Sequence, residues 1–318
     1  MTALRLRDGT PDDAEFVANV STLVRPSSPA DPAVLRYEWE NPQDRWVVRR
    51  FIAVEGDRPV GWSLYAHPRY DAAPRRFGSI GGELLPETRR TATLSELIRN
   101  TEGRLVAEGA RTLEISANED DPVRIEAIIG LGFREDRRST RWELDLTAHR
   151  ERLLAMAEET RARMRLEGIR LLTLSEDADP QRIEKIWRMS TEADKDVPST
   201  LPAIEDTLDD YVRWLGQPDM RADRVWLARE GDRVVGISVL RYPPVRGVVT
   251  TAWTATARHA RGRGIARAVK CETLAQAVAL GVDRVRTGND AANGPILHVN
   301  ASMGYVATAG RISFLKDA

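Results

Sequence analysis

The chain repeats itself, and this limits its fold more than any other feature of the sequence. Ala53 to Gly61 reads AVEGDRPVG and Ala228 to Gly236 reads AREGDRVVG, with seven of nine positions identical. Each copy is a Gly-Asp turn between β-rich runs, WVVRRFIAV and VGWSLYA in the first half, VWLA and VVGISVL in the second, which is a hairpin signature. The correspondence continues downstream. The helix-like LVAEG ending at Gly109 matches AVALG ending at Gly281, and LGF around Gly132 matches MGY around Gly304; both glycine pairs stand 172 residues apart. Each half therefore carries the same order of elements: a strand (ALRLRDG; IRLLTLSE), two helical segments, the hairpin, a strand, a long helix, a strand, a short helix and a final strand pair. Alternation of this kind predicts an α/β fold, in which each half is a mixed, mainly antiparallel twisted sheet with helices on both faces.

A chain of 318 residues is long enough for two cores. The expected division is residues 1–147, a helical linker over 148–167, and residues 168–318. The linker, AHRERLLAMAEETRARMRLEG from Ala148 to Gly168, lacks proline and spaces Leu153, Ala157, Thr160 and Met164 at helical intervals, so its dense charge reads as a solvated face. Lys+Arg 47 against Asp+Glu 48 leaves a net charge of −1, without the basic excess that tracks a nucleic acid backbone. The opening MTALRLRDGT has no apolar signal-peptide region, and no run of ~18 apolar residues occurs, so the expectation is a cytoplasmic protein with no membrane partner. The single cysteine, Cys271, excludes an intrachain disulfide and a Cys-rich zinc site. It lies on the stripe Ala268, Cys271, Ala275, Val278 and reads as a core thiol.

One segment carries chemistry: TTAWTATARHARGRGIARAVK. A Thr-rich strand runs into a Gly-rich loop, Arg261-Gly262-Arg263-Gly264-Ile265-Ala266, that opens a helix. Free N–H groups at a helix N-terminus, with the positive end of the helix dipole behind them, cradle phosphate, and glycine lets the backbone approach it closely. Arg263 and Arg267 add charge. The loop is neither G-x-x-x-x-G-K-[ST] nor G-x-G-x-x-G, which removes the Walker and dinucleotide-binding readings.

Arg261, Gly264 and Ala266 resemble the pyrophosphate loop of the GNAT superfamily of acyl-CoA-dependent N-acetyltransferases: Arg or Gln, two of any residue, Gly, any residue, then Gly or Ala. The strand before, the helix after, the next strand VDRVRTGND, then Asn293 and the ending Met303-Gly304-Tyr305 agree with that family's order. The resemblance covers residues 168–318 and, through the repeat, extends to 1–147, so the chain looks like a tandem GNAT protein. It implies acetyl-CoA as co-substrate and no metal, with Thr256, Arg261, Gly262, Arg263, Gly264, Ile265, Ala266 and Arg267 around the cofactor. It also implies that Asn293, eleven residues before Gly304, holds the pantetheine arm; followed by Gly-Pro, Asn293 equally fits a helix N-cap. In the first half the loop positions read Arg89-Arg90-Thr91-Ala92-Thr93-Leu94, without glycine, which predicts a copy that binds no cofactor.

The second half departs from the family at the proton-handling positions. Asn300 stands where relatives often carry a tyrosine acid, four residues before Gly304, and Ala252 stands where many carry a glutamate base, nine before Arg261. His259 and His298 are the remaining candidates for a base. The strand from Thr254 to Thr256, splayed in the family, can offer backbone N–H groups to the thioester oxygen. The acceptor is expected at the two helices after the first strand of the half, where Asp194 and Asp196 either attract an ammonium group or belong to a solvated loop, and where Trp253 or another tryptophan lines the pocket. The resulting expectation is acetyl transfer to a primary amine of a small molecule, by direct attack in a ternary complex, by a monomer or homodimer. A larger acyl group on the same scaffold is one alternative, and a non-catalytic acyl-CoA-binding or sensing protein is another.

Overall fold

A computed structural model describes residues 4–71 and 75–318. The first half contains β1 (Leu4–Asp8), α1 (Ala14–Val24), α2 (Pro32–Glu40), β2 (Trp46–Glu55), β3 (Arg58–Pro68), β4 (Phe77–Leu84), α3 (Thr91–Ala107), β5 (Thr112–Asn118), α4 (Pro122–Gly130) and β6 (Arg134–Asp145). Helix α5 (Arg150–Leu166) follows. The second half contains β7 (Ile169–Thr173), α6 (Arg182–Asp194), α7 (Leu208–Leu215), β8 (Val225–Glu230), β9 (Arg233–Arg241), β10 (Val249–Thr256), α8 (Ile265–Ala279), β11 (Arg284–Asp290), α9 (Gly294–Met303) and β12 (Val306–Asp317). From β4 onward the repeat is in strict register: β4 and β10, β5 and β11, and β6 and β12 begin and end 172 residues apart.

The strands form one mixed sheet in the order β1-β2-β3-β4-β5-β12-β6-β11-β10-β9-β8-β7, antiparallel except for β4 with β5 and β10 with β11. This corrects two expectations. Each half ends in one long strand rather than a strand pair, and that strand crosses to the other half. β6 pairs with β11 along its length, β12 pairs with β5, and the two crossed strands pair with each other. The reason is edge satisfaction. Without a further strand, β5 and β11 would each present unpaired backbone groups, and exchange covers both edges while joining two sheets into one. Packing follows the pairing: Ile312 and Phe314 of β12 lie in the core of the first half with Leu105, Leu113 and Phe133.

Helix α5 buries the predicted stripe, Leu153, Ala157, Thr160 and Met164, together with Met156. Leu153, Met156 and Ala157 pack with Cys271, Leu274, Ala277 and Val278 of α8, so the charged connector doubles as a wall for the second half. Burial pushes the Cys271 thiol up to about 11, which keeps it protonated and inert. Among the described residues, no helix is long and apolar enough to cross a membrane.

Candidate active site

The site begins where two parallel strands part. β10 and β11 pair only at Val249 with Val285 and Thr250 with Arg286. Beyond that point β10 continues along β9 to Thr256 and β11 continues along β6 to Asp290, leaving a fork between them. An irregularity in the β9–β10 register between Thr251 and Trp253 inserts Ala252 as an extra residue, and such bulges re-aim side chains beside sites.

At the mouth of the fork, Gly262 has φ +78° and Gly264 φ +80°, the left-handed region that glycine enters freely. Gly264 leads directly into α8, whose first turn has no side-chain cap, so those amides are available to an anion. The side chain of Ile265 points away into the core, where its Cγ2 lies against Gly236, so Ile265 offers only its backbone. Ala266 and Arg267 follow in the first turn, half-buried, and Arg267 Nε is buried without a partner among the described residues. Thr256 Oγ1, on the last residue of β10, is likewise buried without a partner.

The arginines of the loop are tied to carboxylates. Arg261 and Arg258 both hold Asp196, at 2.7 and 2.6 Å, and these bonds pull its carboxyl down to about 2. Asp196 therefore faces the loop rather than an acceptor, which corrects its expected place; its charge is spent on two guanidinium groups. Arg263 lies between Glu167 at 3.0 Å and Glu230 at 2.9 Å, so it braces the loop against α5 and β8. The sequence reading missed Arg163 of α5, whose Nη1 stands 3.3 Å from where a Cβ on Gly264 would be.

The remaining candidates divide into near and far. Thr254 Oγ1 lies 3.2 Å from Ser238 Oγ on β9, so its hydroxyl is turned to the neighbouring strand. Asn293 precedes α9 at the β11 side of the fork, and its side chain makes no cap hydrogen bond to the helix. Asn300 is fully buried and donates from Nδ2 to Asn289 Oδ1 at 2.7 Å, clamping α9 to β11. His259 and His298 are exposed on the flank of the loop and on α9.

On the side of β10 that faces α6 and α7 is a cavity of about 460 Å³, lined by Asp194, Asp206, Tyr211, Trp214, Ala252 and Trp253 among others. Asp194 and Trp253 are where the sequence led us to expect acceptor residues. Asp206 was missed; its only sequence signal is a carboxylate just before the Thr207-to-Asp210 capping box that starts α7. Both side chains reach solvent, but partial desolvation at the cavity wall raises the carboxyls of Asp194 and Asp206, and the negative charges of Asp210 and Asp194 raise Asp206 further.

The matching fork of the first half is closed from within. β4 and β5 part after Ile80 and Ile115. Arg124 of α4 fills the opening, donating from Nη1 to Gly82 O at 2.7 Å and from Nε to Ser116 O at 2.8 Å, one carbonyl on each prong. Arg89, the counterpart of Arg261, is engaged by Glu83 at 2.8 Å and Asp121 at 2.5 Å.

No protein-family model and no curated protein matches the sequence. Solved structures do match its fold. A tandem GNAT protein from the clavulanic acid biosynthesis pathway superposes with a TM-score of 0.76 at 16% identity, covering 99% of this chain and 98% of that one. A GCN5-related N-acetyltransferase from Sphaerobacter thermophilus gives a TM-score of 0.66 at 18% identity, covering 99% and 95%. A GCN5-related glucosamine N-acetyltransferase region of a fungal multi-domain β-N-acetylglucosaminidase gives 0.70 at 14%, covering 99% of this chain and 38% of that one. At these identities the likeness is one of fold, and the fold is that of a tandem GNAT protein.

Proposed function

We propose that this chain is an acyl-CoA-dependent N-acetyltransferase that moves acetyl from acetyl-CoA to a primary amine of a small molecule in a ternary complex. The fold favours acyl transfer from an acyl-CoA. The observation that carries the reading is local: the uncapped start of α8, opened by left-handed Gly264, sits at the mouth of a strand fork with an acidic, aromatic cavity beside it. The two GNAT repeats span residues 1–147 and 168–318, joined by the helix within 148–167, each with its sheet completed by the last strand of the other, and only the second takes the cofactor.

The residues present fit acetyl-CoA. The amides from Gly262 to Arg267 would take the pyrophosphate, and Arg267, whose Nε has no partner among the described residues, would add positive charge beside them. The unpaired edge of β10 and the side-chain amide of Asn293 would line the arm, and Thr256 Oγ1, orphaned and buried, lies along that path. When bound, acetyl-CoA supplies the activated acyl group. The chain then has two tasks. Backbone N–H groups of the forked strand around Thr254 stabilise the charge that develops on oxygen, and the cavity holds the amine against that strand. A covalent route through the chain is disfavoured because Cys271 is buried and protonated.

The test is free-thiol release from acetyl-CoA against a panel of primary amines, with a calorimetric CoA titration alongside. Turnover with at least one amine is expected. CoA binding with no thiol release at any pH would leave the sensing alternative, and turnover only with a longer acyl-CoA would replace acetyl by that group.

A further inference from the structure

The two halves differ on the face of each fork that packs against its helices. Opposed strand residues share a face, and side chains alternate along each strand. In the second half, Val249 and Val285 are the last opposed pair on that face before β10 and β11 part, in one core cluster with Tyr305, Cys271 and Leu274. The next residues on the face are Thr251, opposite the core residue Leu240, on one prong and Thr287 and Asn289 on the other, with Trp142 of β6 opposite Thr287. From Asn289 a chain of contacts runs inward. Asn300 Nδ2 donates to its Oδ1, Tyr305 N donates to Asn300 O at 3.2 Å, and Lys270 Nζ of α8 stands 5.2 Å from the centre of the Tyr305 ring.

This group is buried and unsatisfied. Thr251 Oγ1, Trp142 Nε1, Tyr305 Oη and Asn300 Oδ1 have no hydrogen-bond partner among the described residues, and Lys270, 2% exposed, has no ion pair among them. Around Lys270 on α8, Glu272 is committed to Arg161 of α5 at 2.8 Å, Arg267 is a cation, and burial keeps Cys271 protonated. Burial likewise keeps Tyr305 protonated, and β10, β11 and α9 present only Thr251, Thr287, Asn289 and Asn300. At the positions 172 residues earlier, Lys270, Asn289, Asn300 and Tyr305 are replaced by Ile98, Ala117, Ile128 and Phe133, and the counterpart of Trp142 is Phe314, all in the core of the first half. Hydrocarbon thus fills this place beneath the fork that Arg124 closes, and costly unpaired polar atoms fill it beneath the open one.

The set offers an ammonium, two hydroxyls and an indole N–H against one pure acceptor, Asn300 Oδ1, so the partner it lacks is electron-rich. With the pyrophosphate on the Gly loop, β10 from Thr256 back to Thr251 covers about 16 Å, the extended length of the CoA arm from phosphorus to sulfur. The atom that would reach the root of the fork is sulfur, neutral in the thioester and anionic once the acyl group has left. We propose that Lys270, Tyr305 and Thr251 form a thiolate site at the root of the open fork that stabilises the departing sulfur of CoA. The inference rests on the transferase reading. The attacking nitrogen forms the amide C–N bond and gives its proton to water, while the thioester C–S bond breaks and leaves its electron pair on sulfur, which later takes a proton from water.

The probes are CoA and desulfo-CoA, which lacks only the sulfur, titrated by calorimetry into the full chain. Near pH 8 CoA is expected to bind at least tenfold tighter. A free thiol keeps its proton up to about pH 8.5, so a thiolate site releases that proton on binding, and the preference should shrink at least fivefold near pH 6.5. It should not grow above pH 8, where Lys270, held down to about 8 by burial, loses its charge. Lys270→Met should abolish the preference and its pH dependence and leave desulfo-CoA affinity intact, which also reports the fold; Tyr305→Phe should reduce the preference at least threefold. In turnover both substitutions should lower kcat with little change in KM for acetyl-CoA, because sulfur gains charge only in the transition state. Equal binding of CoA and desulfo-CoA, or a preference that Lys270→Met leaves in place, would overturn the proposal while the cofactor reading stands. Binding of neither would overturn both. Should both bind and no amine be acetylated, the transferase reading falls and a Lys270-dependent preference still decides for the thiolate site.

Discussion

Gly264 holds φ +80° immediately before α8, a conformation that an L side chain enters at a cost of about 1–2 kcal/mol, and a Cβ there would crowd Arg163 at 3.3 Å. Gly264→Glu adds a carboxylate where the pyrophosphate would lie. CoA affinity is expected to fall at least thirtyfold, about 2 kcal/mol by calorimetry, whereas Ala92→Glu at the matched, exposed position of α3 leaves it intact; the opposite pattern would reverse the assignment of the two halves. A second residue-scale test concerns Lys270, buried in α8 with its Nζ 5.2 Å from the centre of the Tyr305 ring. The matched positions of the first half are Ile98 and Phe133, so apolar residues satisfy the same packing there. Burial holds the Lys270 amine down to about 8. The unfolded chain, with an ordinary lysine near ~10.4, binds that proton more tightly, so stability attributable to Lys270 rises as pH climbs from about 8 toward ~10.4. Lys270→Met is accordingly expected to stabilise the protein at pH 7 by about 2 kcal/mol, with the gain fading across that window in paired urea titrations; a gain independent of pH would mean the charge is not its source. The Gly loop was legible because its chemistry is local, six residues in a row. The carboxylates that engage it were not, because Glu167, Asp196 and Glu230 reach Arg263 and Arg261 from three separate segments.

Among the elements, the repeat announced which strands and helices exist and their order, since each hairpin turn, Gly-ended helix and hydrophobic run is a local signal. Partner choice is not local. β5 and β11 come from equivalent positions and offer equivalent edges, so nothing in the pattern of β6 or β12 says which edge it covers, and the exchange emerges only in three dimensions. The same blindness hid Arg124, which reads as one polar residue at the start of α4 yet spans the first-half fork. Exchange makes an energetic claim that can be measured. Phe314 in the last strand of the chain is 1% exposed and packs in the core of the first half. Phe314→Ala is expected to cost about 3–5 kcal/mol in urea unfolding, with three of the first half's four tryptophans, Trp39, Trp46 and Trp62, reporting the same shifted midpoint. A cost below about 1 kcal/mol would place β12 outside that core.

At the scale of the whole molecule, the two halves divide labour unevenly but cannot be separated. The first half, its fork bridged by Arg124, gives the second half β6, and β6 pairs along all of β11, the prong that forms one side of the open fork. The second half returns β12 to the first. Melting either half would therefore strip a strand from the other, whereas two domains linked only by a helix would unfold one after the other. Scanning calorimetry is expected to give a single transition with equal calorimetric and van't Hoff enthalpies. Saturating CoA should move that transition as a unit, by about 2.7 kcal/mol at a hundred times Kd, with one CoA bound per chain. Two transitions of which CoA moves only one would mean that the shared sheet does not couple the halves. A stoichiometry near two would mean that Arg124 yields its place between Gly82 and Ser116 to a second cofactor, and Arg124→Met should then tighten the weaker of the two sites.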